Sequence, residues 1–244
     1  MAYEHPGSVE VGTSVSVTLA VTNTGGRTTR FSAPLSVRRR NGTWRQEATP
    51  TFGAIDPGET VRVDSSPYEL RYLGQYAFRL GDPGPSTTIR TRPATLAWGR
   101  GYQPPAGYRL RVGVPDLREA YAYVDPNGID RVRSAPGEQW VFVPLTVSNP
   151  SDAAVTPPAA DDVTLFPSGT PYDHTALVEQ PLYQGPPYVA TELRPTGEVA
   201  GYVPYAIPEA ASVDDLRVVW TTSADDGDIA VSWQSRGVPP YRGG

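Results

Sequence analysis

The 244-residue sequence contains no cysteine, which excludes disulfides, thiolate nucleophiles and cysteine-ligated zinc. It contains no lysine either: all 21 basic residues are arginine. Two causes fit. A GC-rich genome disfavours the AT-rich lysine codons, and adaptation to salt favours acidic, lysine-poor surfaces; the two can act together. In strong salt the screening length shrinks to a few Å, so partners would be met by shape and close contact rather than long-range steering. No stretch approaches the roughly 18 consecutive apolar residues of a membrane-spanning helix, and no apolar run behind Met1 reads as a signal peptide. The net charge is −5. A mildly acidic chain has no general attraction for phosphate backbones, so nucleic acid is not an expected partner. Only two histidines occur, His5 and His174, and there is no G-x-S-x-G elbow to raise a nucleophile. The expectation is therefore a protein that is not an enzyme and uses no cofactor.

What is abundant points to short elements and tight turns. There are 27 prolines and 24 glycines. Two segments share one pattern, V-x-V-x-L-x-V-x-N, at residues 15–23 (VSVTLAVTN) and 141–149 (VFVPLTVSN). Alternation of this kind places Val15, Val17, Leu19 and Val21 on one face of a strand, and Val141, Val143, Leu145 and Val147 on one face of another. Each copy ends in an Asn that opens a turn. Downstream, Ile55-Asp56-Pro57-Gly58-Glu59 and Leu193-Arg194-Pro195-Thr196-Gly197-Glu198 supply Pro/Gly turns ahead of further alternating strands.

Further alternation runs through Phe31, Ala33, Leu35 and Val37, then Tyr76, Phe78 and Leu80. The second half adds Leu216, Val218 and Trp220, then Ile229, Val231 and Trp233. No amphipathic helix of any length is legible; 208–215 has room for one helical turn. The fold class expected is all-β, two tandem immunoglobulin-like antiparallel β-sandwiches. The domains run over 1–98 and 108–236, with a Gly/Pro linker at 99–107 and a frayed tail at 237–244.

These motifs carry two family resemblances. Gly12 to Gly25 follows G-x-x-V-x-V-x-x-x-V-x-N-x-G, and Pro57-Gly58-Glu59 and Gly74-Gln75-Tyr76 complete the pattern. Residues 8–92 thus resemble the cell-adhesion-related (CARDB-like) domain of bacterial and archaeal surface proteins. Residues 108–222 resemble the telokin-like immunoglobulin-fold domain of prokaryotic lipoproteins. They do so through the strand from Gly137 to Asn149, the phrase Asp161-Asp162-Val163-Thr164-Leu165 and the run from Leu193 to Trp220. The resemblance implies an extracellular or cell-surface setting and a contact role, with a protein or a cell-surface glycan as partner. It transfers no catalytic residue. The lipobox cysteine is not in this sequence, so membrane attachment would need an anchor outside it.

Several clusters have both a functional and a bland reading. The stretch from Pro171 to Val189 holds Tyr172, Tyr183 and Tyr188, a recognition patch whose substitution would spare the fold, or a loop folded back on its own domain. Arg38, Arg39 and Arg40 followed by Trp44 offer guanidinium forks and an aromatic platform to an acidic glycan or phosphate; as a charged edge strand they would instead guard against aggregation. Asn41-Gly42-Thr43 is a glycosylation sequon and also a hairpin turn. Asp225, Asp226 and Asp228, and likewise Asp125 and Asp130, put oxygen ligands for calcium on turns, where Asp and Gly are also ordinary turn residues. His174 beside Asp173 reads as a loop histidine. Three functions follow in order: a contact module, a structural spacer of an envelope-anchored protein, and, least supported, a hydrolase.

Overall fold

The computed structural model describes residues 1–40, 42–178, 181–183, 185–224 and 226–235. Among them the regular elements are strands and two short 3-10 turns, and the class is all-β as expected. The chain divides into two compact units, one of Met1–Pro93 with Ala224–Ile229, the other of Ala94–Ser223 with Ala230–Gly244. The stretch expected to be a linker is built into a sheet of the second unit. Gly101–Tyr102 pairs antiparallel with Arg109–Val112. Ahead of it, Ala94–Ala97 pairs in parallel with the last strand, Ala94 opposite Val231. The glycines read as linker serve turns instead: Gly99 and Gly107 sit at φ +77° and +92°. The expected tail, 237–244, lies outside the described residues.

In the first unit, Thr18–Thr22 is flanked by Ala2–Glu4 and Thr60–Asp64. The opposing sheet has five strands in the order Ser8–Glu10, Ser86–Arg92, Gly74–Leu80, Leu35–Arg39, Arg45–Ala48. Buried Val15, Val17, Leu19 and Val21 form one core with Leu35, Val37, Phe78, Leu80 and Ile89. Two expected strands are interrupted, each where a proline removes a ladder donor. Pro34 splits the run 31–37, so that Thr29–Ser32 pairs with Thr51–Ile55 and Leu35–Arg39 joins the five-stranded sheet. The run 15–23 changes partner at Ser16-Val17, opposite Ser65-Ser66-Pro67. There the buried Ser65 hydroxyl accepts the Val17 N–H at 2.9 Å.

In the second unit, Glu138–Ser148 pairs along its whole length with Glu198–Pro208. Its other edge is shared by Arg109–Val112 and Asp116–Arg118, and the handover falls at Pro144. Pro144 offers no N–H there, and its carbonyl accepts the Gly113 N–H at 2.8 Å. A second sheet runs Ala94–Ala97, Gly227–Gln234, Leu216–Ala224, Val163–Pro167. Val141, Val143, Leu145 and Val147 are fully buried on one side of the long strand, and Trp220 and Trp233 are fully buried in the second sheet. The other side is covered too. Trp140, Phe142 and Tyr202 form a separate cluster with Tyr121, beneath a hairpin of Ala120–Asp125 and Gly128–Arg133. The sequence explains the asymmetry: the positions between the apolar ones are Ser16, Thr18 and Ala20 in the first copy, but Phe142, Pro144 and Thr146 in the second, with Trp140 ahead of them where the first copy has Ser14. A strand apolar on both faces needs a layer on each.

The two Asn residues that end the repeated pattern make the same bonds. Asn23 donates from Nδ2 to the carbonyls of Arg27 and Ile55, and its Oδ1 accepts the Gly25 N–H. Asn149 donates to Ala153 and Leu193 and accepts from Ser151. Both backbones join the same turn: Gly58 N–H to Asn23 O and Asn23 N–H to Glu59 O, matched by Thr196 to Asn149 and Asn149 to Gly197. Ile55 to Glu59 therefore corresponds to Leu193 to Gly197, one residue out of step with an alignment on the shared Gly-Glu. The left-handed position is Gly58 at φ +79° in one copy and Thr196 at φ +61° in the other.

Asn149→Asp loses both amide donations and sets a carboxylate against the Ala153 and Leu193 carbonyl oxygens, at a position 1% exposed; we expect a loss of roughly 2–5 kcal/mol in denaturant unfolding. Thr196→Gly should move the other way, by about 1 kcal/mol, because a β-branched residue is strained at positive φ.

Candidate ligand-contact face

Adjacent residues on a strand point to opposite faces, and this divides the arginine triplet. Arg39 lies opposite Tyr76 on the core-facing row, and its guanidinium sits 4.9 Å from the Tyr72 ring centroid. Arg40 turns the chain at φ +50° and pairs with Asp228 at 3.1 Å. Arg38 alone meets Trp44, with its guanidinium 4.6 Å from the ring centroid. A second guanidinium, that of Arg79, lies 4.4 Å from the same ring. Trp44 is therefore taken up by its own arginines and is not the open platform the sequence suggested. Each such contact contributes about 0.5–1 kcal/mol at an exposed site, enough to hold a long side chain in place.

Arg38 and Arg79 come together because Arg79 lies opposite Ser36, two residues from Arg38, on the outer face of the five-stranded sheet. Ala77 and Thr88 continue that face beside Arg38, and Arg90 stands opposite Gln75. The three central strands, Leu35–Arg39, Gly74–Leu80 and Ser86–Arg92, hold five arginines and no acidic residue. The first unit, residues 1–93 with 224–229, carries eleven arginines against eleven acidic residues, whereas the rest of the chain carries ten against fifteen. Arg79 has one acidic partner, exposed Asp82 at 3.1 Å. Arg38 has none among the described residues; the Nε atoms of Arg38 and Arg79 are both buried without a hydrogen-bond partner there, and the Arg79 side chain is 17% exposed, so any ligand would be met at the guanidinium tips.

The tyrosine stretch is a strap over the second unit. Tyr172 bridges to Leu165, the Thr175 N–H donates to the Pro204 carbonyl at 2.8 Å, and the Tyr188 N–H to the Tyr202 carbonyl at 2.8 Å. Tyr188 is buried and its hydroxyl donates to the Pro158 carbonyl. Tyr183 stacks on Phe142 at 4.2 Å and donates to the Asp116 carboxylate. The expected exposed patch is thus corrected for two of its three tyrosines: the Tyr183 ring packs on Phe142 and Tyr202, and Tyr188 is buried, while Tyr172 is half-buried and tied down through its backbone. Gly201 permits the close crossing, since a Cβ there would lie 2.6 Å from the Tyr188 Cα. Beneath the strap is a cavity of about 370 Å³ walled mainly by Leu177, Val178, Pro181, Pro187 and Tyr202. His174 also lines it, with Nδ1 3.1 Å from the Asp161 carboxylate.

The calcium candidates divide. Asp225 lies outside the described residues. Asp226 accepts from the Tyr72 hydroxyl at 3.5 Å, and Asp228 already has the Arg40 guanidinium where a cation would sit. In the other acidic turn, the Asp125 carboxylate accepts the Asn127 N–H and Asp130 accepts the Arg131 N–H, as the hairpin reading expects. The sequon residue Asn41 lies outside the described residues. His5 bonds to Thr87 through Nε2.

No family model matches the chain, and no curated protein matches it. Among solved structures, it is similar to an uncharacterised β-sandwich protein from Clostridium difficile 630. That likeness has 9% identity and a TM-score of 0.37, covering 59% of this chain and 94% of that one. It is also similar to the yjhA protein from Bacillus subtilis, at 14% identity and a TM-score of 0.41, covering 57% of this chain and 99% of that one. Neither likeness bears on function.

Because the strap is part of the core, Tyr188→Ala and Gly201→Ala should each cost about 3 kcal/mol in denaturant unfolding, and Tyr172→Ala less than about 1 kcal/mol. Burial pushes the Tyr188 phenol up from 10.0 to about 12. Across that window the unfolded chain ionises before the folded one. Tyr188 therefore stabilises fully below pH 10 and loses that contribution as pH rises towards 12. Unfolding measured against pH should fall less steeply there in Tyr188→Phe.

Proposed function

We propose that the chain is a non-catalytic contact module of a cell-surface or secreted protein, and that it engages an acidic protein or glycan through the outer face of the five-stranded sheet. The observation that carries this reading is Arg38 and Arg79 held against Trp44, on three strands without an acidic residue in a chain of net charge −5. Guanidinium groups fixed at the stem lose less freedom on binding, and their forks match carboxylate and sulfate geometry. The outer face carries Arg38, Arg79 and Arg90 among small and polar residues, as suits contact with a surface or a polymer. The cell-surface setting is what the resemblance to adhesion-related and lipoprotein domains suggests.

The test is retention of the whole chain on sulfated and carboxylated matrices across a salt gradient. The wild-type chain should be held at low salt and elute as salt rises. A variant with Arg38→Ala, Arg79→Ala and Arg90→Ala should elute earlier, with unchanged circular dichroism. Equal retention of the two would sink the proposal.

A further inference from the structure

Resting on that reading, we infer that the ligand is a linear acidic polysaccharide bearing carboxylate or sulfate groups, lying across the strands and held by several of its charges at once. The geometry separates the cations. Arg38 and Arg79 stand on neighbouring strands, while Arg90 is two strands from Arg38 and two residues further along, roughly 12 Å between Cα positions at ordinary sheet spacing. Arg38 and Arg79 are pinned on Trp44, so they cannot swing over to share one anion with Arg90. A single phosphate or carboxylate cannot bridge that span. A chain with acidic groups at intervals can.

Magnitude points the same way. An exposed ion pair contributes about 0–1 kcal/mol and is screened by salt, so one anion on this face would be held at millimolar strength or worse. Linking several such contacts through one polymer raises affinity by effective concentration without any new contact. The small side chains among the arginines, Ala77, Ser86 and Thr88, let a chain lie close, and exposed Ser86 and Thr88 offer hydroxyls to sugar hydroxyls. Nucleic acid fits less well. Base stacking needs an open aromatic face, and the Trp44 ring is occupied by guanidinium groups.

The experiment is a calorimetric titration of the whole chain at low salt with inorganic phosphate, glucuronate, short and long oligouronates, poly-glutamate and single-stranded DNA. Affinity should rise at least about tenfold from the shortest to the longest oligouronate, with phosphate and glucuronate near the detection limit. Arg38→Lys with Arg79→Lys keeps the charge but removes the forks, and should weaken the long oligouronate several-fold. Binding of phosphate as tight as that of the long oligouronate, or no length dependence, overturns the inference and leaves the contact face standing. So does a preference for poly-glutamate, which would make the partner an acidic protein. A preference for DNA, or no anion binding at all, overturns both.

Discussion

Each unit depends on one buried side chain, the Asn at the end of its valine-rich strand. Its amide joins three parts of the chain: the strand it ends, the turn it opens, and the Pro/Gly turn more than 30 residues later. An amide suits this place because it offers two donors and one acceptor at once. A carboxylate lacks the donors, and an apolar group would lose all three bonds at a buried position. Buried at 8% and 1% exposure, Asn23 and Asn149 turn a hydrophobic ribbon into a fixed corner. Register then follows, since a strand anchored at its end cannot slip by one residue without turning its valines to the opposite face.

From that corner the two units diverge through what lies between the valines. Ser16, Thr18 and Thr22 keep the outer side of the first ribbon polar and partly open to water, with the small Ala20 covered. Trp140, Phe142 and Pro144 demand cover in the second, which the hairpin at 120–133 and the strap at 171–189 supply. The consequence reaches function. Tyr183 and Tyr188, which looked available for recognition, are consumed as structure, and the proposed contact rests on the charged face of the first unit instead.

Much of this was legible in the residues. The repeated pattern identified both central strands, and the absence of helical periodicity gave the class. Pro34 and Pro67 carried information about strand breaks that alternation alone ran across. The long strand at 138–148 was read by its valines, although Trp140 and Phe142 already announced a second apolar face. Arg38 and Trp44 were visible as a pair. Arg79 was not, because its nearness to Arg38 comes from the pairing of Gly74–Leu80 with Leu35–Arg39, which no local pattern encodes. Thr196 at positive φ was hidden for a similar reason: the neighbouring Gly197 drew the turn one residue out of place.

The corner amides can be observed directly. Exchange of side-chain amide protons into heavy water, followed by nitrogen-resolved NMR, should show Asn23 and Asn149 protected far longer than Asn127, which sits on an exposed turn. Exchange of Asn23 and Asn149 as fast as that of Asn127 would mean that these amides face water, and that neither unit is held at the corner described.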